Sequence, residues 1–208
     1  MRASSEQVTR TYFLLAGLYT LAASIIWGVN TLFLLDAGLG IGEVFVANAG
    51  YSIGTVLFEI PTGVIADTLG RRVSFLSSIA ILMLTTVLYV WLARAGLGIG
   101  PFFVTSVLMG LGFTFYSGAM EAWLVDALDA TGFSGELDPV FARGQQITGA
   151  AMLVGTVGGG LLGQIDLSLP YLSRALILGL VFVLALARMR DIGFRPRRVP
   201  VRELPGTM

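Results

Sequence analysis

Residues 63–72 read Gly63-Val-Ile-Ala-Asp67-Thr-Leu-Gly70-Arg71-Arg72, a polar hinge between two long apolar runs. Each residue type has a physical task there. Gly63, lacking a Cβ, lets a neighbouring helix approach closely. Asp67 ends the preceding run at the headgroup level, where an anion can face a helix N-terminus. Gly70 permits the positive-φ turn that a short reversal needs. Arg71 and Arg72 anchor the turn on the cytoplasmic side. The flanking runs, from about Glu43 to Ala66 and from about Val73 to Ala93, are long enough to cross a bilayer, which takes about 17–25 residues. The stretch therefore predicts two transmembrane helices joined by a tight cytoplasmic connection.

Working outward, four further apolar runs of similar length appear: Thr11 to Leu35, Ile99 to Leu128, Gly144 to Ile165 and Leu169 to Ala187. The predicted fold is all-α, a bundle of six transmembrane helices spanning residues 1–190. A basic, proline-containing cytoplasmic tail follows at 191–208 and meets anionic headgroups. Composition agrees. Of 208 residues, 55% are hydrophobic and only 12% charged, half the usual solubilising share of about 25%, and the mean hydropathy is +0.83. The first run is too long for a cleaved signal peptide.

Arginine placement orients the bundle. With both termini cytoplasmic, Arg2, Arg10, Arg71, Arg72, Arg143, Arg188, Arg190, Arg195, Arg197, Arg198 and Arg202 lie inside, against Arg94 and Arg174 outside. That is a strong positive-inside bias, and the expected location is the cell (plasma) membrane, as a multi-pass protein with both termini cytoplasmic. The connection Asp129 to Arg143, with Gly132, Gly135 and Pro139, reads as a solvated cytoplasmic loop. The chain has neither Cys nor His, so disulfides, thiol or imidazole catalysis and Cys or His metal sites are excluded. No cofactor is called for. Net charge is zero, without a basic patch for nucleic acid.

The quoted stretch resembles the signature loop of the major facilitator superfamily: Gly, three residues, Asp, two residues, Gly, then two basic residues, after the second helix. Phe58-Glu59-Ile60-Pro61-Thr62 before it also resembles bacterial members. The resemblance implies the N-terminal six-helix half of that fold, built from two inverted three-helix repeats. An echo of the loop follows the fifth helix, at Gly160, Asp166 and Arg174, with different spacing. It also implies that Asp67 and Arg71 latch two halves together in an outward-open state, with Asp126 placed to pair with the arginine. The plainer reading makes the loop a topology anchor. Two departures count against proton-coupled drug antiport. The fourth helix holds no Arg, with Ser106 standing where one is expected, and no Pro interrupts the glycines of the fifth.

Acids inside a span need a reason, since a charge at the bilayer centre costs about 2.5–3.5 kcal/mol. Glu59 and Glu121 either face a water-filled cavity or hydrogen-bond between helices. For Glu59, beside Pro61, the structural role is favoured, because Pro frees a carbonyl. Glu121 follows Tyr116, Ser117 and Gly118. On the first helix, Trp27, Asn30 and Thr31 share a face, either lining a cavity or packing, with Asn30 bridging helices; Asn48 and Tyr51 form a weaker pair. Gly155, Gly159 and Gly163, four apart, form a packing ridge.

The function expected is alternating-access transport of a small molecule by an MFS-like secondary transporter, efflux included, with lipid and substrate as partners. The resemblance spans the whole chain but half of a twelve-helix architecture, so a homodimer or a separate second half is expected to complete it. The alternative is a truncated, non-transporting membrane protein or a modulator of a full-length transporter. An intramembrane enzyme, lacking any nucleophile motif, is set aside.

Overall fold

The computed structural model describes residues 4–194. Among them are eight helices and no strand: α1 (Ser5–Ser24), α2 (Asn30–Asp36), α3 (Ile41–Leu69), α4 (Arg71–Arg94), α5 (Ile99–Ser117), α6 (Ala119–Ala130), α7 (Leu137–Gly163) and α8 (Leu169–Arg188). Five continuous segments are long and apolar enough to cross a membrane: α3, α4, α5 joined to α6, α7 and α8. The bundle is an all-helical body of membrane character.

The first predicted span arrives in two pieces. Between α1 and α2 the chain takes a tighter course over residues 25–29, with Trp27 N–H donating to the Ser24 carbonyl at 3.1 Å and Val29 N–H to Ile26 at 3.2 Å. Ser24 contributes to the break, its hydroxyl donating to the carbonyls of Thr20 and Leu21, the back-bonding that bends helices. The expected loop from Asp129 to Arg143 is shorter than read, because α7 already starts at Leu137. Pro139 and Asp138 sit in its first turn, where proline removes no needed donor and an acid faces the positive end of the dipole.

Local chemistry starts the helices as sequence rules predict. Ser4 and Gln7 form a reciprocal capping box on α1, both bonds 3.2 Å. Glu43 accepts from Gly40 N–H at 2.8 Å to open α3.

In the packing, α3 lies along α5 and α7 along α1, while α4 and α8 pack together and reach both pairs. Small residues make the close crossings. A Cβ on Gly159 would run into the Ile25 carbonyl and one on Gly155 into Ser24, so the ridge of α7 seats the kink of α1. Gly54 and Gly110 do the same between α3 and α5, against Val107 and Tyr51 backbone. The Gly50-x-x-x-Gly54 spacing carried that signal and sequence reading passed over it. Gly63 departs from expectation: nothing lies within 4 Å of where its Cβ would be, because it sits on the outer face of α3. Outer faces dominate both flanking helices, with 22% of the apolar window of α3 and 11% of that of α7 buried, against 50% for α4.

Beyond α8, the described residues through 194 double back over the signature-loop end. Met189 is fully buried, the Trp123 indole N–H donates to the Arg190 carbonyl at 2.7 Å, and Asp191 accepts from Arg72 N–H at 2.8 Å. Most of the predicted basic tail, 195–208, lies outside the described residues.

Candidate functional site

Of the concavities between the helices, two have mixed polar and apolar linings and lie toward opposite ends of the bundle. The first, of about 310 Å³, is lined by Tyr12, Thr20, Tyr116, Glu121, Gln145 and Met152, at the signature-loop end. The second, of about 410 Å³, lies toward the opposite end and includes Tyr19, Trp27, Asn30, Tyr51, Tyr89 and Arg174. The sequence candidates are thus divided. Tyr116 and Glu121 fall in the first, Trp27 and Asn30 in the second, and Glu59 in neither. Glu59 is exposed on α3, and its carboxylate makes no hydrogen bond or ion pair among the described residues; only its carbonyl accepts from the Thr62 hydroxyl. The Thr62 hydroxyl, rather than a carboxyl, serves the backbone beside Pro61, donating to Phe58 at 2.7 Å. Thr31, expected to share the face of Trp27, is not in the lining, because the break at 25–29 ends the regular helical register.

Asn30 stands in the second concavity and also bridges helices. Its amide donates to Asn48 Oδ1 at 3.0 Å and its oxygen accepts from the Tyr171 hydroxyl at 2.7 Å, while the residue remains in the lining. Such a bridge ties α2, α3 and α8 to one another. Ser106, in place of an expected arginine, hydrogen-bonds the Tyr89 hydroxyl.

The cation of this concavity comes from α8. Arg174, expected on the outer side, sits in the second turn of that helix, 5% exposed. Pro170 near the helix start and Tyr171 three residues before the arginine were the signals that would have placed it inward. Its Nε has no partner, and the guanidinium makes no hydrogen bond or ion pair among the described residues. Tyr19, Tyr51 and Tyr89 line the same concavity.

Aromatic packing separates the two concavities. Tyr19 and Tyr116 stack, and Phe75 packs against both, with centroids at 6.4 and 6.1 Å. All six tyrosines of the chain line a concavity or, for Tyr171, bond to one that does. Tyrosines of membrane helices usually mark the interface; most of these are turned into the bundle.

At the signature loop, Gly70 has φ 115°, which only glycine adopts without strain. A Cβ there would also press on the Asp191 carboxylate. Arg71 pairs with Asp67 at 2.6 Å and approaches Asp126 at 3.7 Å. Arg72 donates to the Leu186 carbonyl at 2.8 Å. The loop is thereby tied to α6 and to the end of α8. Asp191 is the participant sequence reading missed.

No protein-family model matches the chain. The chain is 23% identical over 172 residues to a Bacillus subtilis (strain 168) protein described as the uncharacterized MFS-type transporter YxaM. The match covers 83% of this chain and 41% of that relative, so the chain spans less than half the length of the protein it resembles. Five membrane-capable helices and this similarity make the chain a multi-pass membrane protein.

Proposed function

We propose that this chain is a six-helix bundle of the major facilitator type and moves a small molecule across a membrane by alternating access. The observation that carries it is the pair of concavities at opposite ends, divided by the Tyr19–Tyr116 stack. One path with a single closed wall is what alternating access requires. The similarity to an MFS-type transporter and the Gly63 to Arg72 loop support the same reading. In it, α1 with α2 is the first of six spans, and α3 on α5 and α7 on α1 are equivalent pairs of two three-helix repeats. Both termini lie in the cytoplasm. With Arg174 inside the bundle, Arg94 alone remains on the outer side, which sharpens the asymmetry.

The sparsely buried faces of α3 and α7 adjoin the concavities and would meet a second six-helix body, whichever chain supplies it. Gly63 and Glu59 lie on the α3 part of that surface. Asp67, Arg71 and Asp126 act in this reading as the latch that closes the cytoplasmic end.

The chain has no native cysteine, so single introduced thiols test the path directly. In sealed vesicles, Trp27→Cys should react with a membrane-impermeant reagent from one side and Gln145→Cys from the other. Reaction of both from one side overturns the reading, as does failure of proteoliposomes, with or without a companion bundle, to carry any of a panel of organic ions.

A further inference from the structure

We propose that the Arg174 concavity binds a small organic anion, a carboxylate or similar planar oxyanion carried on an apolar or aromatic body. The inference rests on the transport reading and names the chemical class of its cargo.

Arginine cannot shed its proton in a protein. A lysine or carboxyl buried this deeply would turn neutral; Arg174 stays a cation, 5% exposed, with Nε unpartnered. A buried charge without a counter-charge is strongly unfavourable, and among the described residues no acid pairs with Arg174. Among the lining residues of both concavities the one carboxylate is Glu121, beyond the Tyr19–Tyr116 wall. In this proposal the bound anion supplies the counter-charge.

The surroundings narrow its kind. A guanidinium is a planar fork that matches a planar oxyanion with two parallel hydrogen bonds. Asn48 accepts from Asn30 through its oxygen, which leaves its amide N–H groups free to donate to the same anion. The rest of the lining includes Trp27, Leu82, Met109 and Phe113, suited to an apolar body. At about 410 Å³ the space falls within the 300–1,000 Å³ usual for small-molecule sites. A bare inorganic ion would leave this apolar wall uncovered, and a cation would meet Arg174 directly.

The test uses the full chain in an uncharged detergent, melted in the presence of sodium benzoate, benzyltrimethylammonium chloride or sodium chloride. Benzoate should raise the melting temperature of the parent and leave Arg174→Gln unmoved, and neither other salt should match it. Equal protection by chloride or by the cation overturns the proposal, as does benzoate protection that survives in Arg174→Gln or no protection by benzoate.

A second measurement does not depend on how Arg174→Gln folds. Ser52→Cys, in the Arg174 concavity, and Gln145→Cys, in the other, are each reacted with a sulfonate-bearing and a trimethylammonium-bearing methanethiosulfonate. The sulfonate-to-ammonium rate ratio should be about 10-fold or more higher at position 52, the scale of a focused local potential. Equal ratios sink the proposal. Vesicle labelling from opposite sides together with equal ratios would leave transport standing and remove only the anion; a high ratio with one-sided labelling would do the reverse.

Discussion

The rings of Tyr19 and Tyr116 stack with centroids 3.6 Å apart and planes 10° from parallel, one residue facing each concavity. Two rings so nearly face to face set like quadrupole faces together, a less favoured arrangement than offset or edge-on. The wall is therefore held by its surroundings, Phe75 and the backbones of α1 and α5, more than by the stack itself. Such a wall is suited to parting.

It follows that Tyr116→Leu should cost little stability, less than the about 0.5–1.5 kcal/mol of a favourable aromatic pair, as read by unfolding in mixed detergent micelles. The same change should open the wall. A thiol at position 52 should become reactive to an impermeant reagent applied from the signature-loop side, where the parent is protected. A large stability loss with no new labelling would show that the stack is a packing element only.

Glycine contacts give a sharper contrast on one helix. Gly159 and Gly158 are neighbours in α7, yet a Cβ on the first would strike the Ile25 carbonyl while the second faces open space. Gly159→Ala should cost about 1–3 kcal/mol, the usual range for overpacking. Gly158→Ala should be neutral or add up to about 1 kcal/mol, from the better helix propensity of alanine. Equal melting temperatures for the two would mean that the ridge does not seat α1.

These outcomes mark what a sequence can and cannot show. The apolar runs that became α3, α4, the joined α5 and α6, and α8 are local patterns, legible to within about three residues, as is the turn at Gly70. The first run is broken in two, and α7 starts at Leu137, ahead of its expected Gly144. Partners across the bundle are not local. Arg174 near the start of a span looks like a loop anchor until Tyr19, Tyr51 and Tyr89, from three other helices, are seen around it. Glu59 looks like an interior acid because it lies in a span, yet a span alone does not say which of its faces is covered. The kink at residues 25–29 was hidden in an unbroken apolar run, since the glycines of α7 that seat it lie about 130 residues away in sequence.

Asp191 gives a prediction that motif reading would not have made. Its carboxylate accepts from Arg72 N–H at 2.8 Å and so caps α4, where a helix start has unpaired donors and a positive dipole end. Asp191→Ala should cost about 1 kcal/mol, as loss of a side-chain cap does, with Asp191→Asn recovering most of it. Gly70→Ala should cost more, since it adds strain at φ 115° to the contact with the same carboxylate. Unfolding midpoints in mixed micelles would check the order: parent, Asn, Ala at 191, then Ala at 70.

Arg71 stands between two acids, and the distances rank them. Asp67 is at 2.6 Å and Asp126 at 3.7 Å, with the arginine side chain 18% exposed and the acids 33% and 37%. Partly solvated pairs couple weakly, about 0.2–1 kcal/mol, so neither contact is needed to hold the fold. Double-mutant cycles with Arg71→Gln, Asp67→Asn and Asp126→Asn should give a larger coupling to Asp67 than to Asp126, both shrinking in high salt. If the cluster is a latch, its removal should act on access rather than stability. Asp126→Asn should change the rate at which a thiol at position 145 is labelled from the signature-loop side while moving the melting temperature little. A change in melting temperature with no change in labelling would leave the loop as a topology anchor and nothing more.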